Sequence, residues 1–240
     1  RPIAGVELRD PTYLRPPHHP VELEAALVGS VIESTGRRGK LATAALDSGR
    51  TLGLRFGMTG RLVVDDVAPI DRLEYASGRD DEAWDRFVLR LADGGVVRIN
   101  DPRRFGSVAL DPDLAALGPD ATSITARELV AALASDRSLK SVLLDQSRIA
   151  GLGNLLVDET LWRAGLSPVR TARMLGDAET SELRRSIRRT IRVLTARGGS
   201  HTGDLPIDLR SGGHCPRDGT VLRRETIAGR TTLWCPEHQH

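Results

Sequence analysis

At 240 residues the chain can hold one large domain or two ordinary ones, and it can build a core without covalent staples. Its formal net charge is only +2, yet all but two of its 34 basic residues are arginine, the exceptions being Lys40 and Lys140. With two cysteines, Cys215 and Cys235, and no signal-like or membrane-spanning stretch, the composition argues against a secreted disulfide framework and against an integral membrane protein. A reducing, cytoplasmic setting is the expectation.

The first half reads as β structure. Short runs such as SVIEST, KLATAAL, TLGLRFG, GRLVVDD, RFVLRLADGGVVRIND and FGSVAL are punctuated by glycine and aspartate turns, and apolar residues alternate with polar ones on either side of Asp93-Gly94-Gly95. One helix is expected near 20–28 in PVELEAALV. Strands at this spacing predict a sandwich or barrel.

From about residue 121 the period lengthens to that of helices. TARELVAAL opens with a Thr125-x-x-Glu128 capping box, and further helices are expected at 138–148, 152–164 and 177–197. In the last, Leu183, Ile187, Ile191 and Leu194 form one apolar stripe, and five arginines spread over the remaining surface. A polar, glycine-rich connector follows to about 213, then a cysteine-containing hairpin. Basic clusters lie in GRRGK, DPRRFG, ELRRSIRRTIR and VLRRETIAGR, the pattern of a surface meeting a polyanion, although solvated cover explains any one of them.

Chemistry concentrates in a few stretches. In AGLGN (150–154) Gly151 and Gly153 can take positive φ, and Asn154 sits where free backbone amides at a helix start can clamp a phosphate. An ordinary helical hairpin with an asparagine N-cap fits the spacing equally well.

DQSRIAGLGNLLVDETLWRAGLSP resembles the helix-two-turns-helix segment of the Fpg/Nei family, DNA glycosylase/AP lyases that excise oxidised bases. RRGK, FGMTGRL, DPRRFG and the terminal hairpin match further family segments in the same order. The resemblance implies an α+β fold: an N-terminal β-sandwich over 1–118, a helix-two-turns-helix domain over 119–199, and a connector with a zinc-finger-like β-hairpin over 200–240. It implies damaged double-stranded DNA as partner, a monomer that grips the duplex between its domains, and no membrane.

Residue by residue, Met58, Arg103 and Phe105 match the side chains that fill the void left by an extruded base, a step costing a few kcal/mol of stacking and pairing. Phe105 read alone is either that wedge or a core residue at a strand end. Lys140 and Asn154 match phosphate contacts, Arg230 matches the hairpin arginine that grips the backbone beside the flipped nucleotide, and Lys40 matches a loop lysine near the reacting sugar. Cys215, Asp218, Cys235 and His238 keep the x2, x16, x2 spacing of the family's four-cysteine zinc hairpin with two ligand types changed, and His214 is an alternative to Asp218. The connector at 198–213, where purine-specific members carry a recognition loop, is short, which leans away from 8-oxoguanine.

The family's attacking group is an N-terminal proline followed by glutamate, whereas this chain starts RPIAGVE, similar to the family's second segment. Pro2 is therefore not the nucleophile, and about a helix's worth of sequence is expected to be missing from the chain as given. Lys40 would need about 3.4 kcal/mol of differential stabilisation to match an α-amine, so it is expected to be accessory. The complete enzyme would cleave the abasic site by β,δ-elimination through a Schiff base. The alternative is a non-catalytic binder of abasic or distorted DNA.

Overall fold

The computed structural model describes residues 1–68, 78–205 and 213–240 and divides into two compact units, Arg1–Leu114 and Ala115–His240. Part of the stretch 65–85, in which acidic residues outnumber basic ones, and the middle of the connector at 198–213 lie outside the described residues.

The first unit runs β1 (Ile3–Leu8), α1 (Pro20–Leu27), β2 (Ile32–Arg38), β3 (Leu41–Leu46), β4 (Thr51–Arg55), β5 (Arg61–Val64), β6 (Asp85–Leu91), β7 (Val96–Asn100) and β8 (Ser107–Leu110). These strands form two four-stranded antiparallel sheets, ordered β1-β6-β7-β5 and β2-β3-β4-β8. Ile3, Phe87, Leu89 and Ile99 of one sheet pack with Leu46, Leu52, Val108 and Leu110 of the other, and Leu23 and Leu27 of α1 close the same core. Alternation selects these residues, because every second side chain of a strand points to one face.

Three connections change sheets, the first from β1 through α1 to β2. The chain leaves β4 in the second sheet and enters β5 in the first, then returns from β7 in the first sheet to β8 in the second. Because Arg55 pairs with Ser107 and Arg61 with Asn100, the loops 56–60 and 101–106 begin and end beside each other. Met58 stands on one, and Arg103 and Phe105 on the other.

The second unit contains α2 (Ala126–Leu133), α3 (Leu139–Leu144), α4 (Asn154–Ala164), α5 (Asp177–Ala196), β9 (Arg223–Ile227) and β10 (Arg230–Trp234). The Thr125–Glu128 capping box is formed in both directions. Leu183 and Ile187 of α5 pack with Leu129, Leu143, Val157 and Leu161 of the other helices. α3 is shorter than its expected span: the Asp145 carboxylate accepts bonds from Ser147 N at 3.1 Å and Ser147 Oγ at 2.6 Å, a local turn that competes with another helical residue. Gln146 then organises the crossing, donating to the carbonyls of Leu144 and Leu152 at 3.0 Å each and accepting from Gly151 N at 3.0 Å.

One site expectation changes here, and one alternative reading closes. Lys140 does not face outward toward a phosphate: it is 0 % exposed, its ammonium 2.6 Å from the Asp158 carboxylate and 3.2 Å from the Thr231 carbonyl of β10. The reason is its position on the inner side of α3, opposite α4. Asn154 is not an N-cap: Gly153, extended at φ −109° and ψ 173°, holds that place, and only Gly151 takes positive φ, at 115°. Asn154 is the first helical residue, and its amide donates to the same Thr231 carbonyl at 2.9 Å. Lys140 and Asn154 thus hold β10, and with it Arg230, against the helices.

Burial pushes the Asp158 carboxyl up to about 6 against the opposing pull of Lys140, and it pushes Lys140 down. Removing one partner of such a pair leaves an uncompensated buried charge, at a cost of about 3–5 kcal/mol, whereas an apolar replacement of both is close to neutral. Urea denaturation should therefore show Lys140→Met destabilised by about 3–5 kcal/mol near neutral pH and K140M/D158L largely restored. Without its cation, Asp158 keeps a folded-state pKa raised above its unfolded value of about 3.9. The K140M deficit should accordingly be small below pH ~4, where the carboxyl is protonated in both states, and grow as pH rises through the folded pKa. A deficit independent of pH would contradict the assignment.

Candidate nucleic-acid interface and metal centre

Met58 and Phe105 are 51 % and 49 % exposed, which removes the reading of Phe105 as a core residue. The Arg103 guanidinium lies 4.7 Å from the Phe105 ring centroid, a cation over an aromatic face. The two loops touch without slack. Gly57 has φ +60°, and a Cβ placed on it would stand 2.7 Å from Phe105 Cβ and 2.8 Å from the Phe105 carbonyl oxygen, so only glycine fits.

Between Arg103 and Phe105, Arg104 adopts φ +60°, a conformation that costs a non-glycine residue about 1–3 kcal/mol. It is held there by an ion pair of 2.6 Å from Nε to Asp10 and a bond of 3.1 Å from Nη2 to Thr12 Oγ1. Burial works against the charge on Asp10, yet hydrogen bonds from Thr12 and Arg104 hold its carboxyl below the ordinary range. The second anchor is Asp101, fully buried, whose carboxylate takes bonds from Thr59, Gly106 and Tyr13. Sequence reasoning quoted DPRRFG but missed its first aspartate as a structural centre. Its placement directly before a proline, at a strand end, was the only local signal.

Lys40 is exposed and occupies the two-residue turn Gly39-Lys40 between β2 and β3, where Arg38 pairs with Leu41. Arg230 follows the turn Ala228-Gly229, with φ +51° and +70°, and pairs with Ile227 at the exposed tip of the β9–β10 hairpin. Two successive positive φ angles are the requirement of a tight hairpin turn.

At the other end of the hairpin, donor atoms of Cys215, Asp218, Cys235 and His238 lie within 4.8 Å of one another. Sulfur, nitrogen and oxygen around one tetrahedral zinc stand ~3.4–3.6 Å apart. Here Cys215 Sγ is 3.5 Å from His238 Nδ1, Cys235 Sγ is 3.3 Å from Asp218 Oδ2, and His238 Nδ1 is 2.9 Å from Asp218 Oδ2. The two sulfur distances match that spacing, the 2.9 Å His238–Asp218 contact is a hydrogen bond that ligation would open by a few tenths of an ångström, and the donor types fit zinc. His238 Nε2 lies 3.3 Å from the Trp162 carbonyl, a partner that accepts the ring proton there and leaves Nδ1 free to ligate. Cys215 Sγ accepts Trp162 Nε1–H and Arg217 N–H, each at 3.4 Å. A backbone bond from Thr220, and then His238, hold the Asp218 carboxyl well below the usual carboxylate range. His214 stands outside this group, its backbone bridged to Val221.

The hairpin has little core of its own: Cys215, Leu222 and Cys235 pack with Trp162 of α4 and Leu205. Glu159, the residue after Asp158 on α4, caps the connector by accepting Asp204 N at 3.1 Å and Leu205 N at 2.8 Å. It too was not singled out from sequence.

Two family models match the chain: the formamidopyrimidine-DNA glycosylase N-terminal domain over residues 1–108 and the formamidopyrimidine-DNA glycosylase H2TH domain over 116–204. The formamidopyrimidine-DNA glycosylase of Roseiflexus sp. (strain RS-1) is 35 % identical over 99 % of this chain and 92 % of its own length. That of Rhodopseudomonas palustris (strain BisB18) is 34 % identical over 91 % of this chain and 86 % of its own. Among solved structures, the Lactococcus lactis formamidopyrimidine-DNA glycosylase bound non-covalently to DNA containing an AP site superposes with a TM-score of 0.81 at 26 % identity, covering 100 % of this chain and 92 % of that one. A complex of the L. lactis protein with DNA containing FAPY-dG gives 0.79 at 25 % identity, with the same coverage. Together with the paired crossover loops, the helix-two-turns-helix crossing and the four-donor hairpin, these matches show that the chain belongs to the formamidopyrimidine-DNA glycosylase family.

Proposed function

We propose that this protein is a DNA-repair glycosylase and AP lyase that binds damaged duplex DNA, extrudes an oxidised or ring-opened base and cleaves the abasic site left behind. The observation that carries the reading is the pair of crossover loops that presents Met58, Arg103 and Phe105 from adjacent, register-matched positions. An extruded base leaves a hole in the stack, and aromatic or apolar side chains entering it recover about 1–3 kcal/mol per stacked base. Phe105 is the wedge, Met58 the adaptable filler, and Arg103 the cation that meets the estranged base. The relatives are named as glycosylases, and no observation favours the non-catalytic alternative.

Arg230 reaches the phosphate backbone from the hairpin tip. Asn154 acts as a phosphate contact through the helix start it occupies, and as the tether described above. Lys140 serves by position. The Pro2 nitrogen is a peptide amide and its carbonyl accepts Ala92 N at 2.9 Å inside the first sheet, so it takes no part in the chemistry. In the family's reaction an amine attacks C1′ of the sugar as the base departs with a proton, the resulting Schiff base loses the 3′ phosphate by β-elimination, and δ-elimination releases the 5′ phosphate. Lys40 assists proton movement at the sugar from its exposed turn.

Zinc fits the hairpin, held by Cys215, Asp218, Cys235 and His238. It supplies folding energy and no reaction step, and in small zinc units that contribution is about 10–16 kcal/mol. Its consequence here is the placement of Arg230.

With the full reading frame, borohydride added during incubation with a duplex carrying an oxidised base should trap a covalent protein–DNA adduct. A protein that binds the lesion but never cuts or cross-links it would favour the non-catalytic alternative. Lys40→Met should slow strand cleavage by roughly 100-fold while the adduct still forms, and loss of the adduct would make Lys40 the nucleophile. Elemental analysis should find one zinc per chain, and stripping it with a strong chelator should weaken DNA binding about as much as Arg230→Ala. Binding that survives chelation unchanged would show a hairpin held by packing alone.

A further inference from the structure

The two wedge-bearing loops share one anchor. Asp101 Oδ1 accepts the Thr59 hydroxyl at 2.6 Å, from the loop that carries Met58. Asp101 Oδ2 accepts Gly106 N at 2.8 Å, from the loop that carries Arg103 and Phe105, and Tyr13 OH at 3.2 Å. All three partners are donors. Burial, with the neighbouring Asp101 charge, pushes the Tyr13 phenol above its ordinary range, so it stays a donor. Asp101 is 0 % exposed and Thr59 1 %, which leaves no place for water to replace a broken bond.

We propose that Asp101 and Thr59 are positioning residues that lock the Met58 and Phe105 loops into one body, so that both side chains enter the duplex together or not at all. The inference rests on the wedge reading above. Three features restrict independent movement: the loops start and end on paired residues, Arg55 with Ser107 and Arg61 with Asn100; Gly57 packs against the Phe105 backbone with no room for a methyl group; and the carboxylate divides its two oxygens between the loops. Withdrawing one loop would strand either a carboxylate oxygen or the Gly106 N–H in the interior. Lesion preference then comes from a preformed double wedge whose two halves add more together than apart.

The test is a double-substitution cycle. For each variant the ratio of the affinities for a duplex with a tetrahydrofuran abasic analogue and for the undamaged duplex is measured by fluorescence anisotropy. In the wild-type background, Met58→Ala and Phe105→Ala should each lower that ratio about tenfold, and the M58A/F105A pair should lower it little further. In a Thr59→Val background, which keeps the side-chain shape and removes the hydroxyl, the two losses should become additive, and Thr59→Ser should restore the coupling. If T59V lowers the folded fraction, Asp101→Asn, with one acceptor oxygen in place of two, is put through the same cycle. Unchanged coupling in T59V and D101N would overturn the inference while leaving the wedge standing. Single substitutions that leave the ratio unchanged would remove the wedge reading and the coupling with it.

Discussion

A buried carboxylate is expensive unless every lone pair it exposes to the interior finds a donor, and Asp101 meets that demand with a hydroxyl, a phenol and a backbone amide. Those donors belong to three separated stretches of chain, so satisfying one side chain fixes the positions of all three. Two of the stretches carry Met58 and Phe105, the side chains proposed as the wedge. The sandwich contributes the rest, because its β4–β8 and β5–β7 pairings bring the loops 56–60 and 101–106 to the same end. The strained Arg104 and the tight Gly57 contact are tolerated because that frame over-determines them.

The second unit solves a different problem, that of a hairpin too small to stand alone. Its β10 strand is tethered through one carbonyl, Thr231, which receives both the Lys140 ammonium and the Asn154 amide. Its opposite end is drawn onto α4 by the Cys215, Asp218, Cys235 and His238 group and by the Trp162 contacts around it. Arg230 needs both supports, since it sits at the exposed tip beyond them. Helix packing, the four-donor group and the placement of Arg230 are therefore linked through a few hydrogen bonds to backbone.

Much of this was legible in the sequence because the features are local. Alternation located the strands, the Thr125–Glu128 spacing located a helix start, and the x2, x16, x2 spacing located the four donors. The family resemblance supplied Met58, Arg103, Phe105 and Arg230 by motif. Direction and burial were not legible. Nothing in a run such as SLKSVLL tells whether Lys140 points out or in, and its burial depends on Asp158 lying opposite on another helix. Asn154 looked like a cap because asparagine favours that position, but the extended Gly153 takes it and frees the amide for Thr231. Asp101 escaped notice for a similar reason: its three donors come from residues 13, 59 and 106, and no local pattern brings those together.

The most direct test of the account is a crystal structure of this protein with a duplex containing an abasic-site analogue. Phe105 and Met58 should lie inside the space vacated by the base, with Arg103 facing the estranged base and the Thr59 and Gly106 bonds to Asp101 intact. A duplex stacked continuously past the lesion, with those three side chains left in solvent, would contradict it.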